Sequence, residues 1–409
     1  LAENDATFAV QRGITRLLCE SDHAHAFDAH SLATIAWACG ALRCRDRALL
    51  HKLGDHALSR LGEFTTQGLQ NIVTALAKCG YSVHGELLKA LKASFLQRIS
   101  EFDAQGLSAF SWAFQKLQPG QNVDLVLASA QALCATADQR KGGVGAAAES
   151  VTQSLLAVAT LLAAPNTRPR RLYAKFRPVV LELLLRCEQA QRDMSFDMPQ
   201  MSTTISSFAK LVGCVGLFEE TAEWCTRRAK LTEQLKNGLL RVLRQSQAQD
   251  LAIVLWGLGR LHGCSKNREN TVKSTLFAPV EAVQVLQSVQ RQLLSFNWRS
   301  MGLMDYAIPQ LLTGSLVDST ATTRATIEEW EHLRQEVEGQ RRKRASALMA
   351  ELHCASEAVA KQPWALTLDA LSGRCTQRSV NLLAALLAPR APVNVPQKLV
   401  SKCRVLLFD

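Results

Sequence analysis

The sequence is poor in the residues and patterns that build β-sheets. Its 409 residues include only 3 Tyr and 11 Pro, and few stretches alternate Val, Ile or Thr with polar residues as strands do. Ala and Leu are abundant instead. No apolar stretch reaches the length of about 18 residues that a membrane-spanning helix needs. These absences favour an all-α protein that is not inserted in a membrane.

The motifs of common enzyme classes are also missing. The sequence has no Gly-rich phosphate loop, no HExxH or GxSxG motif and no set of kinase signatures. Its 12 cysteines include no CxxC pair, and the nearest metal-ligand pairs, His262 with Cys264 and His353 with Cys354, lack a second pair at zinc-site spacing. We therefore expect no enzymatic activity, no metal and no cofactor, and we expect reduced cysteines that act as small buried apolar residues.

The charge is strongly unbalanced. The chain carries 47 Lys and Arg against 36 Asp and Glu, a formal net charge of +11. Such an excess favours a polyanionic partner, and nucleic acid is the commonest polyanion. Acidic protein surfaces are the alternative.

One segment, FDAQGLSAFSWAFQKL (102–117), recurs along the chain and defines an internal repeat. The first column of the alignment is apolar and consists of Leu32, Leu69, Leu107, Val151, Met201, Leu251 and Met301. The third column, six residues later, is small and consists of Ala38, Ala75, Ala113, Ala157, Ser207, Gly257 and Ala307. Small residues let two helix backbones approach closely, so we expect the third column to be buried between helices.

Two aromatic columns accompany this pattern. The second column is aromatic in four copies, at Trp37, Trp112, Trp256 and Tyr306. We interpret the three tryptophans as core aromatics under the neighbouring repeat, with base stacking as the alternative. A Phe opens five copies, at Phe27, Phe64, Phe102, Phe196 and Phe296, and in three of them Asp follows it. Phe-Asp at this place predicts a hydrophobic staple and an N-terminal cap.

The spacing of the copies predicts the architecture. Each interval has room for a second amphipathic helix, so the unit is a helix–turn–helix of about 37 residues, lengthened in the later copies. Units that cannot bury their apolar faces alone must stack, which predicts an all-α solenoid of seven to eight repeats. We divide the chain into a capping helix (1–26), the repeat array (27–315), a charged inserted helix (316–347) and a degenerate C-terminal repeat with a cap (348–409).

The repeat resembles the octotricopeptide and heptatricopeptide repeats of organellar proteins. The resemblance lies in the Phe-Asp opening, the Leu five residues after the Phe, the Trp-Ala pair and the closing Leu, and it covers most of residues 27–315. These repeats occur alongside the RAP domain in algal, dinoflagellate and apicomplexan proteins and are related to FAST-kinase-like helical repeats. The resemblance implies an RNA-binding array in mitochondria or plastids. No RAP-like tail is present, and the later repeats depart from the pattern.

Three groups of cations are candidate contacts to an RNA backbone. The first occupies one column of the repeat alignment, at Lys78, Lys116, Lys210 and Arg260. The second lies in a predicted turn between helices and just after it, at Arg168, Arg170, Arg171 and Lys175. The third lies on one helix with a single acidic residue, Glu233, and comprises Arg227, Arg228, Lys230, Lys236, Arg241 and Arg244. Cations at repeat spacing suit a single-stranded backbone, although helix C-termini also favour Lys and Arg.

Three functions remain open from the sequence. The unequal later repeats and scattered basic clusters favour a structural component of a mitochondrial ribosome or a similar ribonucleoprotein, which grips ribosomal RNA and neighbouring proteins. A free-standing organellar factor for RNA stability or processing is the second possibility, and a protein-only scaffold is the third. The expected partners are RNA and proteins of the complex, without a small-molecule substrate. The expected compartment is the mitochondrion, with the plastid as the alternative.

Overall fold

The structure is a computed structural model that describes residues 27–82, 85–136, 144–164, 169–192, 196–214, 217–218, 222–263, 276–292, 295–297, 300–304, 306–307 and 311, together with residues 328, 331–333, 335–336, 339–340 and 343. The predicted capping helix (1–26) and the predicted degenerate C-terminal repeat (348–409) lie outside these ranges. Within the predicted charged helix (316–347), every described residue is helical.

Helices alternate along the chain as the repeat predicts, and the described residues contain no strand. The odd-numbered helices carry the repeat template: α1 (Ala29–Ala41), α3 (Thr66–Cys79), α5 (Ala104–Leu117), α7 (Val144–Leu162), α9 (Met198–Val212) and α11 (Ala248–Gly263). The even-numbered helices complete the units: α2 (Arg47–Ser59), α4 (Gly85–Gln97), α6 (Val123–Thr136), α8 (Pro169–Arg192), α10 (Ala222–Val242) and α12 (Pro279–Gln292). The described residues of the seventh copy, between 300 and 311, are also helical.

The helices pack in two compact units, Leu1–Phe196 with Lys210–Leu231 and Asp197–Ala209 with Thr232–Asp409. In the first unit, odd helices contact the next odd helix (α1 with α3, α3 with α5, α5 with α7), and even helices contact the next even helix. In the second unit, α11 contacts α12. Packing between successive copies of one helix hairpin confirms the all-α, solenoid-type repeat fold.

The small column lies where helices approach most closely. Ala75, Ala113 and Ala157 are at most 1% exposed, and Ser207 and Ala307 are fully buried. In the second unit the approach is closest at Gly257, where an added Cβ would lie 2.4 Å from Cγ2 of Ile205. Small side chains in this column therefore let α11 pack directly on α9.

Ala38 is an exception to the predicted burial, because it is only half-buried. In this first copy the close contact falls two residues later, where a Cβ on Gly40 would lie 3.0 Å from Cα of Ala75. Helix α1 packs through Gly40, so Ala38 stands at the edge of the contact.

The predicted N-terminal caps are confirmed. Asp28 and Asp103 each accept a hydrogen bond from the backbone N–H three residues later, at 2.7 Å, and Thr65 does so at 3.1 Å. Asp197 and Gln200 bond to each other's backbone N–H, at 2.8 and 3.2 Å. These side chains satisfy donors that the first helical turn leaves unpaired, which fixes where α1, α3, α5 and α9 begin.

Three phenylalanine rings form an aromatic cluster in the core of the first unit. The rings of Phe95 and Phe110 stack with centroids 4.4 Å apart. Phe102, the residue before the Asp103 cap, packs against both of them at 5.0 and 5.2 Å. Phe102 of the repeat opening therefore packs onto α5 and joins α4 to it. Its staple contact with Leu107 stays a prediction.

Candidate nucleic-acid interface

The aromatic second column is incompletely buried, and the assignment of its tryptophans to the core is wrong for Trp37. Trp37 is 61% exposed and Tyr306 is 43% exposed, while Trp112 and Trp256 are half-buried. The Phe residues of the staple already occupy the position between helices, so the second column is left at the edge of each odd helix. The column also contains Thr74 and Ser206, and this tolerance of small polar residues was the signal in the sequence that it is not a core position.

Each odd helix has an open face that includes the second column. We define the open face of an odd helix as three of its residues, spaced at i, i+7 and i+11. All three are exposed or half-buried in every odd helix from α1 to α11. The members are His30, Trp37 and Ala41 in α1; Gln67, Thr74 and Lys78 in α3; Gln105, Trp112 and Lys116 in α5; Glu149, Leu156 and Thr160 in α7; Pro199, Ser206 and Lys210 in α9; and Gln249, Trp256 and Arg260 in α11. The candidate residues are Lys78, Lys116, Lys210 and Arg260, and each occupies position i+11 of its open face. The second column, which includes Trp112 and Trp256, occupies position i+7 beside them.

Two open faces pair the cation with the indole. The ammonium nitrogen of Lys116 lies 5.0 Å from the ring centroid of Trp112. The guanidinium carbon of Arg260 lies 5.7 Å from the ring centroid of Trp256. Spacing of four residues brings the two side chains onto the same side of the helix, within the range of a cation–π contact. Each pair offers an aromatic surface next to a positive charge.

Positive charge accumulates around the Trp112–Lys116 pair. Partial burial lowers the pKa of the Lys116 ammonium, and the positive charges of Arg43 and Lys78 lower it further, against the opposing effect of Cys79. The charges of Arg43 and of Lys78 on α3 therefore act on Lys116 on α5, and an anion that joins them gains favourable interaction with all three. Arg43 was not among the predicted site residues. It lies two residues after the end of α1 with a left-handed φ of 48°, and no repeat column marks it.

The first half of α10 is partly engaged with protein carboxylates. The ammonium of Lys230 lies 3.5 Å from Oε1 of Glu188, which also lies 3.7 Å from Nη2 of Arg192. Arg228 is 8% exposed and Arg227 is half-buried. These two arginines thus have little surface for a polyanion.

The second half of α10 divides into a paired lysine and two exposed arginines. The Lys236 ammonium lies 2.8 Å from Glu233 and 3.1 Å from Glu281. Burial alone would lower the pKa of Lys236, but the two carboxylates outweigh it and raise that pKa. Arg241 and Arg244 are exposed. Lys230 and Lys236 thus lie beside carboxylates of other helices, Glu188 and Glu281. Contact between this helix and phosphate stays a prediction, carried by its exposed arginines.

The predicted turn at 165–171 is helical from Pro169 onward. Helix α8 begins at Pro169, which suits the first helical position because proline has no N–H to leave unpaired. Arg170 and Arg171 therefore lie in the first helical turn, and Arg171 and Lys175 are exposed. Arg168 lies outside the described residues. Arg177 donates to the carbonyl of Leu217 at 2.8 Å, so it supports the fold.

Among the described residues, no three His, Cys, Asp or Glu side chains are grouped so as to hold a metal ion. No helix in the described part of the chain is long and apolar enough to cross a bilayer. No known protein-family profile matches the sequence, and no curated protein is similar enough to count as a relative.

Proposed function

We propose that the chain is an RNA-binding helical-repeat protein that holds single-stranded RNA along the open faces of its odd helices. The observation that carries this proposal is the pairing of a half-buried indole with a cation, Trp112 with Lys116 and Trp256 with Arg260. Proteins that bind single strands without reading sequence combine stacking surfaces for bases with cations for phosphates. The two pairs supply both parts at equivalent places of two repeats.

The cations that fit this role are those on the open face. Lys78 and Lys116 are exposed, and Lys210 and Arg260 are half-buried. Exposed Arg171, Lys175, Arg241 and Arg244 offer further contacts away from that face. Lys230 is a weaker candidate because Glu188 already lies beside it.

The open faces differ from one repeat to the next, and this bears on the biological setting. Leu156 and Ser206 occupy the places that Trp112 and Trp256 fill elsewhere. Unequal faces suit the gripping of one structured RNA better than reading a sequence with one base per repeat. Together with the resemblance to organellar repeats, this supports a structural role in a mitochondrial ribosome or similar ribonucleoprotein.

The direct test is RNA affinity at several salt concentrations, measured with the full chain and a single-stranded RNA. The variant Lys78→Gln with Lys116→Gln should flatten the slope of log affinity against log salt by about 0.7 for each cation removed. Lys89→Gln is the matched control, because Lys89 is an exposed cation on α4 that pairs with Glu86. The control should leave the slope unchanged.

The indole is tested separately. Trp112→Ala should weaken RNA binding by about 1–3 kcal/mol, the range measured for a stacked base. The proposal fails if Lys89→Gln changes the salt slope as much as the variant Lys78→Gln with Lys116→Gln. It also fails if Trp112→Ala binds RNA as tightly as the wild type. Sedimentation of the native protein with and without ribonuclease then separates the settings: co-migration with ribosomal particles supports the ribosomal role, and a small ribonuclease-dependent shift supports the free-standing factor.

A further inference from the structure

A polar cleft of about 630 Å³ lies in the second unit, away from the cation column of the open face. It is bounded by the end of α10, the beginning of α11, the end of α12 and the segment that leads into the seventh copy. Its described lining is Arg244, Ser246, Gln247, Ala248, Gln249, Ser288, Arg291, Gln292, Ser295, Asn297 and Ser300. None of these residues is acidic and two are arginines, so the described lining carries two positive charges.

The hydroxyl and amide groups of this cleft are held in place by bonds within the protein. Ser246, Ser288 and Ser300 are at most 9% exposed. The side chain of Gln292 donates to the hydroxyl of Ser246 at 3.2 Å, and Ser246 donates to the carbonyl of Leu243 at 2.7 Å. Polar side chains that are preorganised in this way can bind a ligand without a further loss of conformational freedom.

The equivalent position in the first unit, as the repeat alignment defines it, carries different charged residues from the cleft. There Arg98 donates to Glu101 at 2.8 Å and to the carbonyl of Phe64 at 2.9 Å, and Asp103 caps the following helix. That position therefore contains its own carboxylates. Arginine and acid neutralise each other inside the protein.

In the second unit the same columns have lost their acids and gained cations. Ser295 takes the place of Glu101, Asn297 the place of Asp103 and Gln292 the place of Arg98. Arg244 and Arg291 stand where the first unit has Gly62 and Gln97. The change reverses the sign of the local charge, and it converts an internally paired position into one that attracts an anion.

We propose that this cleft binds a phosphate group carried either by a free nucleotide or by an RNA strand. Arg244 and Arg291 supply the charge, and guanidinium groups suit the oxygens of phosphate. The exposed side chains of Gln247, Gln249 and Ser295 offer neutral hydrogen-bond donors beside them. The volume lies in the range of small-molecule sites, so the group that bears the phosphate fits beside it. The cleft shares Gln249 with the open face of α11, but it contains neither the Trp112–Lys116 nor the Trp256–Arg260 pair. The proposal therefore does not depend on the proposed role of those pairs.

The probes are adenosine 5′-monophosphate and adenosine, titrated into the full chain by calorimetry. The nucleotide should bind, and adenosine should not. The double variant Arg244→Gln with Arg291→Gln should weaken nucleotide binding by about tenfold or more, as expected for the loss of charged donors. Arg60→Gln is the matched control, because Arg60 ends the corresponding helix of the first unit and pairs with Glu63. Its affinity should equal that of the wild type.

A second variant keeps both arginines in place. Ser295→Glu restores the carboxylate of the first unit at an exposed position, and it should weaken nucleotide binding by a similar factor through charge alone. Equal binding of adenosine and the nucleotide, no nucleotide binding by the wild type, or unchanged affinity in both the double variant and Ser295→Glu would overturn the proposal.

Competition identifies the source of the phosphate. If a short single-stranded RNA with a 5′-phosphate displaces the nucleotide, the strand occupies the cleft; if it binds without displacing the nucleotide, the ligand is a free nucleotide. Both results support the phosphate site. The variant Lys78→Gln with Lys116→Gln should keep full nucleotide affinity, so failure of the RNA proposal and failure of this one remain distinguishable.

Discussion

Gly257→Ala tests the close approach of α9 and α11. The new Cβ would lie 2.4 Å from Cγ2 of Ile205, and 3.2 Å from its carbonyl oxygen. Carbon atoms in favourable contact are about 3.5–4.0 Å apart, so the overlap with the methyl group is about 1 Å or more. Ile205 is fully buried and cannot turn away into solvent. The helices must therefore separate locally, and we expect the free energy of unfolding to fall by about 1–3 kcal/mol, the usual cost of overpacking.

The assay is urea unfolding followed by far-UV circular dichroism, in a double-mutant cycle with Ile205→Ala. Removing Cγ2 leaves only the backbone contacts, which small shifts relieve, so Gly257→Ala should cost less in the Ile205→Ala background by about 0.5–3 kcal/mol. Gly85→Ala is the control, because no heavy atom lies within 4 Å of its added Cβ. An unchanged urea midpoint for Gly257→Ala, or an equal cost in both backgrounds, would refute the reasoning.

Three further predictions concern the first unit. Asp103→Ala removes the cap of α5 and should lower the free energy of unfolding, measured by urea unfolding, by about 1 kcal/mol. Asp103→Ser keeps a capping oxygen and should retain most of the wild-type stability. Burial alone would raise the pKa of Asp124, but the hydrogen bond and charge of Lys92, 2.7 Å away, hold it below 3.8. This pair therefore stabilises the fold above about pH 4 by less than about 1 kcal/mol, and the contribution is lost as the pH falls through the lowered pKa. The free energy of unfolding of Asp124→Asn should equal that of the wild type in acid and be lower at pH 7. Trp37→Ser should change the free energy of unfolding by less than about 0.5 kcal/mol, whereas Phe95→Ala should lower it by about 3–5 kcal/mol; equal losses would return Trp37 to the core.

Features that depend on neighbouring residues in the chain were predictable from the sequence. The caps at Asp28 and Asp103 need only a short polar side chain before an apolar helix, and both stand in the Phe-Asp opening of the repeat. The small third column, with Ala75 and Ala113, follows from repetition at one register. These local patterns were sufficient to predict the helical-repeat fold.

Features that depend on contacts between distant parts of the chain were not predictable. Hydrophobicity placed Trp37 and Trp112 in the core, but which face of a helix is buried depends on the neighbouring helix. The carboxylates that meet Lys230 and Lys236 come from Glu188 and Glu281, more than 40 residues away in each case. Charge counted along one helix therefore overestimated the number of cations that remain for a polyanion.

The order of packing in the first unit also bears on how the protein is made. Each odd helix there contacts the next odd helix, and each even helix contacts the next even helix, so partners follow one another closely in the chain. Contacts between near neighbours in sequence allow fast folding. During synthesis, α1 can dock as soon as α3 has left the ribosome, and each later hairpin finds its partner already folded. The most recently synthesised helix is the least protected, because its small third column and its opening Phe stay exposed to solvent until the following repeat packs on them.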